Sequence, residues 1–151
     1  MSSYAQEKER FERFLDQHIV WVLATGADSD ISARNMSIMR QGLKIYFQTD
    51  TNFEKYRHIS RNPNVALCCS NYQVKGYARI LGHASEEANA ALMSLYKEVH
   101  PGSYERYSNR ETQCLIEVEP RTVQIWDYIG NEPYITVVDM VQETFVSTKY
   151  E

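Results

Sequence analysis

Arg34, Thr49, Thr51, Asn52 and Lys55 are the residues of this 151-residue chain whose types and order point to chemistry. A phosphate is held by free backbone N–H groups at a helix amino terminus, by short hydroxyl or amide side chains, and by one or two cations. The run Thr49-Asp50-Thr51-Asn52 leads into a predicted helix whose first turns carry Lys55, and Arg34 lies on the strand before residues 43–49. Antiparallel pairing of those two strands would set Arg34 beside Thr49. A plainer reading stands next to this one, because Thr and Asn cap helices everywhere and Lys is a common surface residue.

The charge distribution singles out the same segment. The chain carries −4 in all, yet residues 31–64 hold Arg34, Arg40, Lys44, Lys55, Arg57 and Arg61 against only Asp50 and Glu54. That segment is therefore +4 and the remainder −8. A basic island in an acidic protein fits a localised anionic group rather than a nucleic acid. A chance cluster on a solvated face would look the same. Cys68 and Cys69 are adjacent and lack the spacing of a zinc or redox pair, and the four histidines are scattered, so no metal site is expected. On an extended segment one of those cysteines should be core and the other surface. No Ser-His-Asp set, P-loop or dinucleotide-type glycine pattern is present. No stretch approaches the ~20 apolar residues of a membrane span. The opening run MSSYAQEKERFERF has no apolar core of the secretory kind, so a cytoplasmic protein with no membrane partner is expected.

The elements that must position these residues follow from periodicity. Ser3 and Gln6 have capping-box spacing ahead of an amphipathic helix with Tyr4, Phe11, Phe14 and Leu15 on one face. Residues 19–26, 31–39 and 43–49 read as a three-stranded antiparallel meander. Thr51 and Glu54 are spaced as a capping box for a short helix that stops at Asn62-Pro63. Strands at 65–70 and 74–84, a helix over 85–99, a loop to Arg110 and strands at 113–118 and 122–128 complete the pattern. Residues 135–141 form one more strand or an extended tail. Short strands with brief helical inserts suit a mainly β fold, an antiparallel barrel plugged by helices, in a single domain.

The run SARNMSIMRQGLKIYFQTDTNFEKYRHISRNPNVALCC resembles the flavin-binding core of the pyridoxamine 5'-phosphate oxidase-like family. Arg34, Thr49, a Lys six positions later at Lys55, Asn62-Pro63 and Val65-Ala66-Leu67 match its order and spacing. ARILGHASEE and VQIWD are similar to later elements, so the likeness spans about residues 11–128. It implies an FMN-binding split β-barrel and a homodimer with FMN at the interface. By the same resemblance Arg34 and Lys55 hold the FMN phosphate and Thr49 is a hydroxyl donor. The backbone of Asn35, Met36 and Ser37 faces the isoalloxazine ring, Gln48 touches the cofactor, and Trp126 approaches from the partner subunit. Thr51 and Asn52 join the set from helix-capping physics. Lys75 is a candidate cation near the ring, against a plainer reading as a solvated strand residue.

Departures from the oxidase itself are as informative. Met39, Glu54 and Tyr77 stand where that enzyme has Lys, Arg and Gln. No Arg follows Arg121 and no His follows His100, so the cationic substrate motif for the vitamin phosphate is missing. The expected function is an FMN-dependent oxidoreductase or flavin reductase, passing electrons from a reduced nicotinamide to an acceptor that the sequence does not identify. The rival readings are a non-catalytic flavin sensor or store, a haem- or deazaflavin-binding member of the same barrel class, and a barrel with no cofactor.

Overall fold

Helix α1 (Tyr4–Gln17) begins with the capping box read from the sequence. Gln6 N–H donates to Ser3 Oγ at 3.2 Å, and Ser3 N–H donates to Gln6 Oε1 at 2.8 Å. These bonds belong to a computed structural model that describes residues 2–151. The apolar face of α1 buries Phe11 and Leu15 in the main core. Phe14 stacks on Tyr72 and meets Trp21 edge-on. Burying a side chain such as Phe11 stabilises by about 1.5–3 kcal/mol, so α1 is held by its face more than by its propensity.

Nine antiparallel strands follow: β1 (Val20–Ala27), β2 (Asp30–Ser37), β3 (Met39–Gln41), β4 (Lys44–Asp50), β5 (Asn64–Cys69), β6 (Tyr72–His83), β7 (Gln113–Ile129), β8 (Glu132–Asp139) and β9 (Thr144–Lys149). Their order is β2-β1-β5-β6-β7-β4-β3, with β8 on β7 and β9 on β8. The two ends of this path, β2 and β3, are separated in sequence by Ile38 alone, whose N–H donates to Ile19 O at 2.9 Å. The sheet therefore curls until its outer strands adjoin, with no ladder between them among the described residues. This is the mainly β, antiparallel split barrel expected from the sequence.

Several local expectations need correction. The meander breaks at Ile38: β2 pairs with β1 and β3 with β4, so β2 and β4 are not neighbours and Arg34 is not paired to Thr49. Residues 113–129 form one strand rather than two. Pro120 fits inside β7 because a register shift falls between Lys75 and Gly76, and Gly76 pairs with Pro120. The segment expected to be loop contains α4 (Pro101–Tyr107), with Pro101 in the first turn where a missing N–H costs nothing. It follows α3 (Ala90–Val99), which a 3₁₀ turn at Glu87–Asn89 precedes. The carboxy-terminal segment is a hairpin, β8 and β9. Cys68 is exposed, Cys69 half-buried and Cys114 buried, all as free thiols, so neither neighbour is fully core. No helix among the described residues is long and apolar enough to cross a membrane.

Two cores flank β4. Ile45 and Phe47 point into the barrel with Leu23, Leu67, Val74 and Ile116. On the opposite face, Tyr46 packs with Met39, Leu115, Met93 and Tyr96 beneath α3. This two-sided burial fixes the register of β4 and so the position of Gln48 and Thr49 near its end.

Candidate functional site

The end of β4 opens into a cleft of about 290 Å³. Its walls are Asn35, Met36 and Ser37 from β2, Gln48, Thr49 and Asp50 from β4, Phe53 and Lys55 at helix α2 (Glu54–Arg61), and Tyr96, Ser103, Tyr107, Arg110 and Gln113. Six residues read as cofactor contacts thus share one cavity: Asn35, Met36, Ser37, Gln48, Thr49 and Lys55. The volume lies at the small end of ligand pockets, which run from roughly 300 to 1,000 Å³. A large planar ligand seated there would need cover from outside this chain.

Lys55 reaches the cleft because α2 docks across β1. The buried His58 ring meets Thr25 Oγ1 at 2.8 Å, and Asn62 Nδ2 donates to Gly26 O at 3.0 Å. Arg34 pairs with Leu23 on the same β1 strand, so the two cations converge through β1 rather than through strand pairing with Thr49. Burial pushes the Lys55 ammonium below its ordinary value, the Arg34 charge pushes it further, and Asp50 pulls it back. The ammonium lies 4.6 Å from the Phe53 ring centroid and forms no ion pair among the described residues. Burial likewise lowers Arg34, with Glu54 opposing. The Arg34 guanidinium donates to Leu23 O at 3.3 Å, to Thr25 Oγ1 at 2.7 Å, to Ser32 Oγ, and to Glu54 Oε1 at 3.5 Å. Glu54 in turn accepts a short hydrogen bond from Ser32. Arg34 therefore stands behind the cleft wall, held by its own neighbours.

Thr51 and Asn52 do not act as expected. Helix α2 starts at Glu54 with Phe53 as its unassisted cap. The Thr51 N–H donates to Thr112 O at 2.9 Å and the Asn52 N–H to Asp50 Oδ1 at 2.8 Å, so both amides are spent and neither residue lines the cleft. The Asn52 amide, with the Thr112 hydroxyl, holds the Asp50 carboxyl below its ordinary range. Lys75 lines a second cavity with Tyr77 and Arg121, away from this cleft within one chain. Trp126 packs against Tyr128 and Tyr150. Sequence reasoning missed Asp50, Phe53, Tyr96, Ser103, Arg110 and Gln113.

That far wall is tied to β4 by polar contacts. Ser108 Oγ donates to Gln48 Oε1 at 2.7 Å, and Gln48 Nε2 donates to Ser103 Oγ at 3.4 Å. Tyr96 Oη and Ser103 Oγ share a hydrogen bond of 2.8 Å. The Arg110 guanidinium sits 5.6 Å from the Tyr107 ring centroid. The cleft thus joins an ammonium that forms no ion pair, with the Asp50 carboxylate nearby, to amides, hydroxyls and aromatic faces along its length. This donor set fits a planar heteroaromatic ring with an anionic tail.

A model of the family described as pyridoxamine 5'-phosphate oxidase matches residues 7–127. The chain belongs to the pyridoxamine 5'-phosphate oxidase family. General stress protein 26 of Bacillus subtilis (strain 168) is 26% identical over 125 residues, 78% of this chain and 86% of its own. A pyridoxamine 5'-phosphate oxidase-related, FMN-binding protein of Nostoc punctiforme has a similar structure, with a TM-score of 0.64 at 16% identity, over 97% of this chain and 95% of its own. HutZ, the haem storage protein of Vibrio cholerae, gives a TM-score of 0.64 at 12% identity over 74% and 88%. At these identities the two structures attest to the fold alone. The curated match to a general stress protein agrees with the reading that this chain is not the oxidase itself.

Proposed function

We propose that this chain binds FMN in the cleft and passes electrons from a reduced nicotinamide to an acceptor, working as a homodimer. The observation that carries this reading is Lys55, a half-buried ammonium with no ion pair, next to a second cation and beside a ring-sized polar cleft. Partial burial and the Arg34 charge disfavour such a cation, and a bound anion would offset both.

In this reading Lys55 pairs with the phosphate while Arg34 adds its charge from behind the wall. The Thr49 hydroxyl makes only a long 3.5 Å bond to Asp50 O among the described residues, and would exchange it for one to the phosphate. The backbone of Asn35, Met36 and Ser37 and the Gln48 amide orient the ring edge, and Tyr96 and Tyr107 exclude water from one side. A second copy covers the open side, bringing Trp126 toward the ring, with Lys75 available at the same boundary. When bound, FMN supplies the hydride acceptance and the return of electrons.

The cleft offers a haem iron neither His nor Cys, and the hydroxyl of Tyr96, a possible ligand, is held by Ser103 at 2.8 Å. The four histidines are engaged elsewhere, His58 and His83 through both ring nitrogens. The test is an anaerobic titration of the FMN-loaded protein with NADH and NADPH, followed near ~450 nm. Bleaching supports turnover, whereas a yellow protein that neither nucleotide bleaches refutes the nicotinamide step. Protein that fails to retain FMN at all refutes the whole reading.

A further inference from the structure

Behind the cleft wall a hydrogen-bonded row runs from Arg34 through the buried Thr25 and His58, which the electron-transfer reading does not use, to the exposed Asp30. Arg34 Nη1 to Thr25 Oγ1 is 2.7 Å, Thr25 Oγ1 to His58 Nδ1 is 2.8 Å, and His58 Nε2 to Asp30 Oδ2 is 2.9 Å. Thr25 and His58 are 3% and 4% exposed, so the bond between them is shielded from water, whereas the Asp30 carboxylate at the outer end is exposed.

The direction of every bond follows from the chemistry of its ends. A guanidinium only donates and a carboxylate only accepts. Asp30 therefore requires the proton on His58 Nε2, which leaves Nδ1 of the neutral ring as an acceptor. Thr25 Oγ1 accepts from Arg34, and its own proton points at that bare Nδ1. The row runs one way, from cation through hydroxyl and imidazole to anion, and each bond polarises the next.

The row has a mechanical consequence. Arg34 is a long side chain on a strand, and without Thr25 its orientation would be set by Ser32, Glu54 and the longer bond to the Leu23 carbonyl. Thr25 holds the Nη1 group at the shorter distance, and His58 holds Thr25 from inside the fold. Asp30, Glu54 and His58 also offer atoms within 4.8 Å of one another, as a metal site would. The Arg34 Nη2 group 3.5 Å from Glu54 already supplies positive charge at that place, so the arrangement fits a relay to the guanidinium better than a cation cage.

We infer that Thr25 and His58, backed by Asp30, are positioning residues that fix the Arg34 guanidinium for recognition of the ligand's phosphate. This rests on the proposed binding of FMN, and its test separates the two. Riboflavin has the same ring without the phosphate, so the ratio of riboflavin to FMN dissociation constants reads the phosphate end alone. The ratio is measured for wild type, Arg34→Ala, Thr25→Val and Thr25→Ser. Thr25→Val keeps the shape but removes the hydroxyl, and should lower the ratio by roughly fivefold, the worth of one neutral hydrogen bond. Thr25→Ser should keep it within about twofold of wild type, because the hydroxyl is restored. A fold-wide loss of packing would weaken both ligands and leave the ratio unchanged.

If Arg34→Ala leaves the ratio unchanged, Arg34 does not read the phosphate, and the positioning role falls with it. If Arg34→Ala collapses the ratio while Thr25→Val leaves it intact, the phosphate reading stands and the positioning role is overturned. Nitrogen-15 spectra of the wild-type His58 ring give a second readout that needs no variant. The relay requires a proton on Nε2 and a bare Nδ1. A neutral ring with the proton on Nδ1 would overturn the relay even if Thr25→Val failed to fold.

Discussion

Lys55→Met should shift the free and the FMN-loaded protein in opposite directions. In the free protein the Lys55 ammonium is disfavoured by burial and by Arg34. Methionine keeps an apolar stem of similar length and removes that repulsion. A partly exposed charge pair is worth about 0.5–1 kcal/mol, and like charges reverse its sign. At roughly 2–4 °C per kcal/mol for a domain of this size, free Lys55→Met should melt about 1–4 °C above wild type. The sign of the pH dependence agrees. A lysine whose folded value is lowered destabilises the fold while it stays protonated, so the gap should narrow as pH rises toward the ordinary 10.5. With FMN present the order reverses, because a charge-assisted hydrogen bond to phosphate is worth about 1.5–3 kcal/mol, or roughly 10–150-fold in affinity. Calorimetric melting with and without excess FMN measures both effects. A variant that melts lower when free, yet gains as much from FMN as wild type, would refute the reasoning.

Three further outcomes are expected. Glu54→Gln should strengthen FMN binding about two- to fivefold and leave riboflavin unchanged, since it removes the exposed carboxylate that occupies Arg34 and Ser32; a weaker FMN complex in titration would contradict this. Gly76→Ala should cost about 1–3 kcal/mol in urea unfolding, because its Cβ would lie 2.5 Å from the Glu119 carbonyl oxygen at the β6–β7 register shift, and an unchanged midpoint would refute the clash. The Glu117 carboxyl is pushed up by burial, but the hydrogen bond from Tyr46 and the charges of Lys44 and Arg79 outweigh that and leave it below its ordinary 4.5. A lowered carboxylate contributes stability above its unfolded value and loses it as pH falls through the folded one. Glu117→Gln should therefore flatten the fall in stability below about pH 4.5 while costing about 1–3 kcal/mol at neutral pH, as read from urea midpoints across that range.

The elements that were legible in the sequence are those with one buried face. Helix α1 carried its cap and stripe together, and β1 alternated Trp21, Leu23 and Thr25 inward. Strand β9 escaped notice because, apart from a half-buried Phe145, its residues are exposed and leave no period-two pattern. Helix α4 escaped because its sequence is polar and short, and what holds it is tertiary: the Tyr96–Ser103 and Ser108–Gln48 bonds. Half the cleft went unseen for the same reason, since Ser103 and Arg110 are surface-like residues until the chain brings them over β4. The near wall was legible through its spacing, although the route differs from the one expected. Arg34 and Lys55 meet across β1, and Asp50 uses the Asn52 amide that capping rules had reserved for a ligand. The proposed phosphate recognition therefore rests on side-chain charge rather than on backbone N–H groups at residues 51 and 52.

Equilibrium dialysis of the unmodified protein against FMN and riboflavin tests this most directly. A grip on the phosphate requires FMN to bind at least about tenfold more tightly, with the difference shrinking as salt rises. Equal affinity for the two flavins, at any ionic strength, would contradict it.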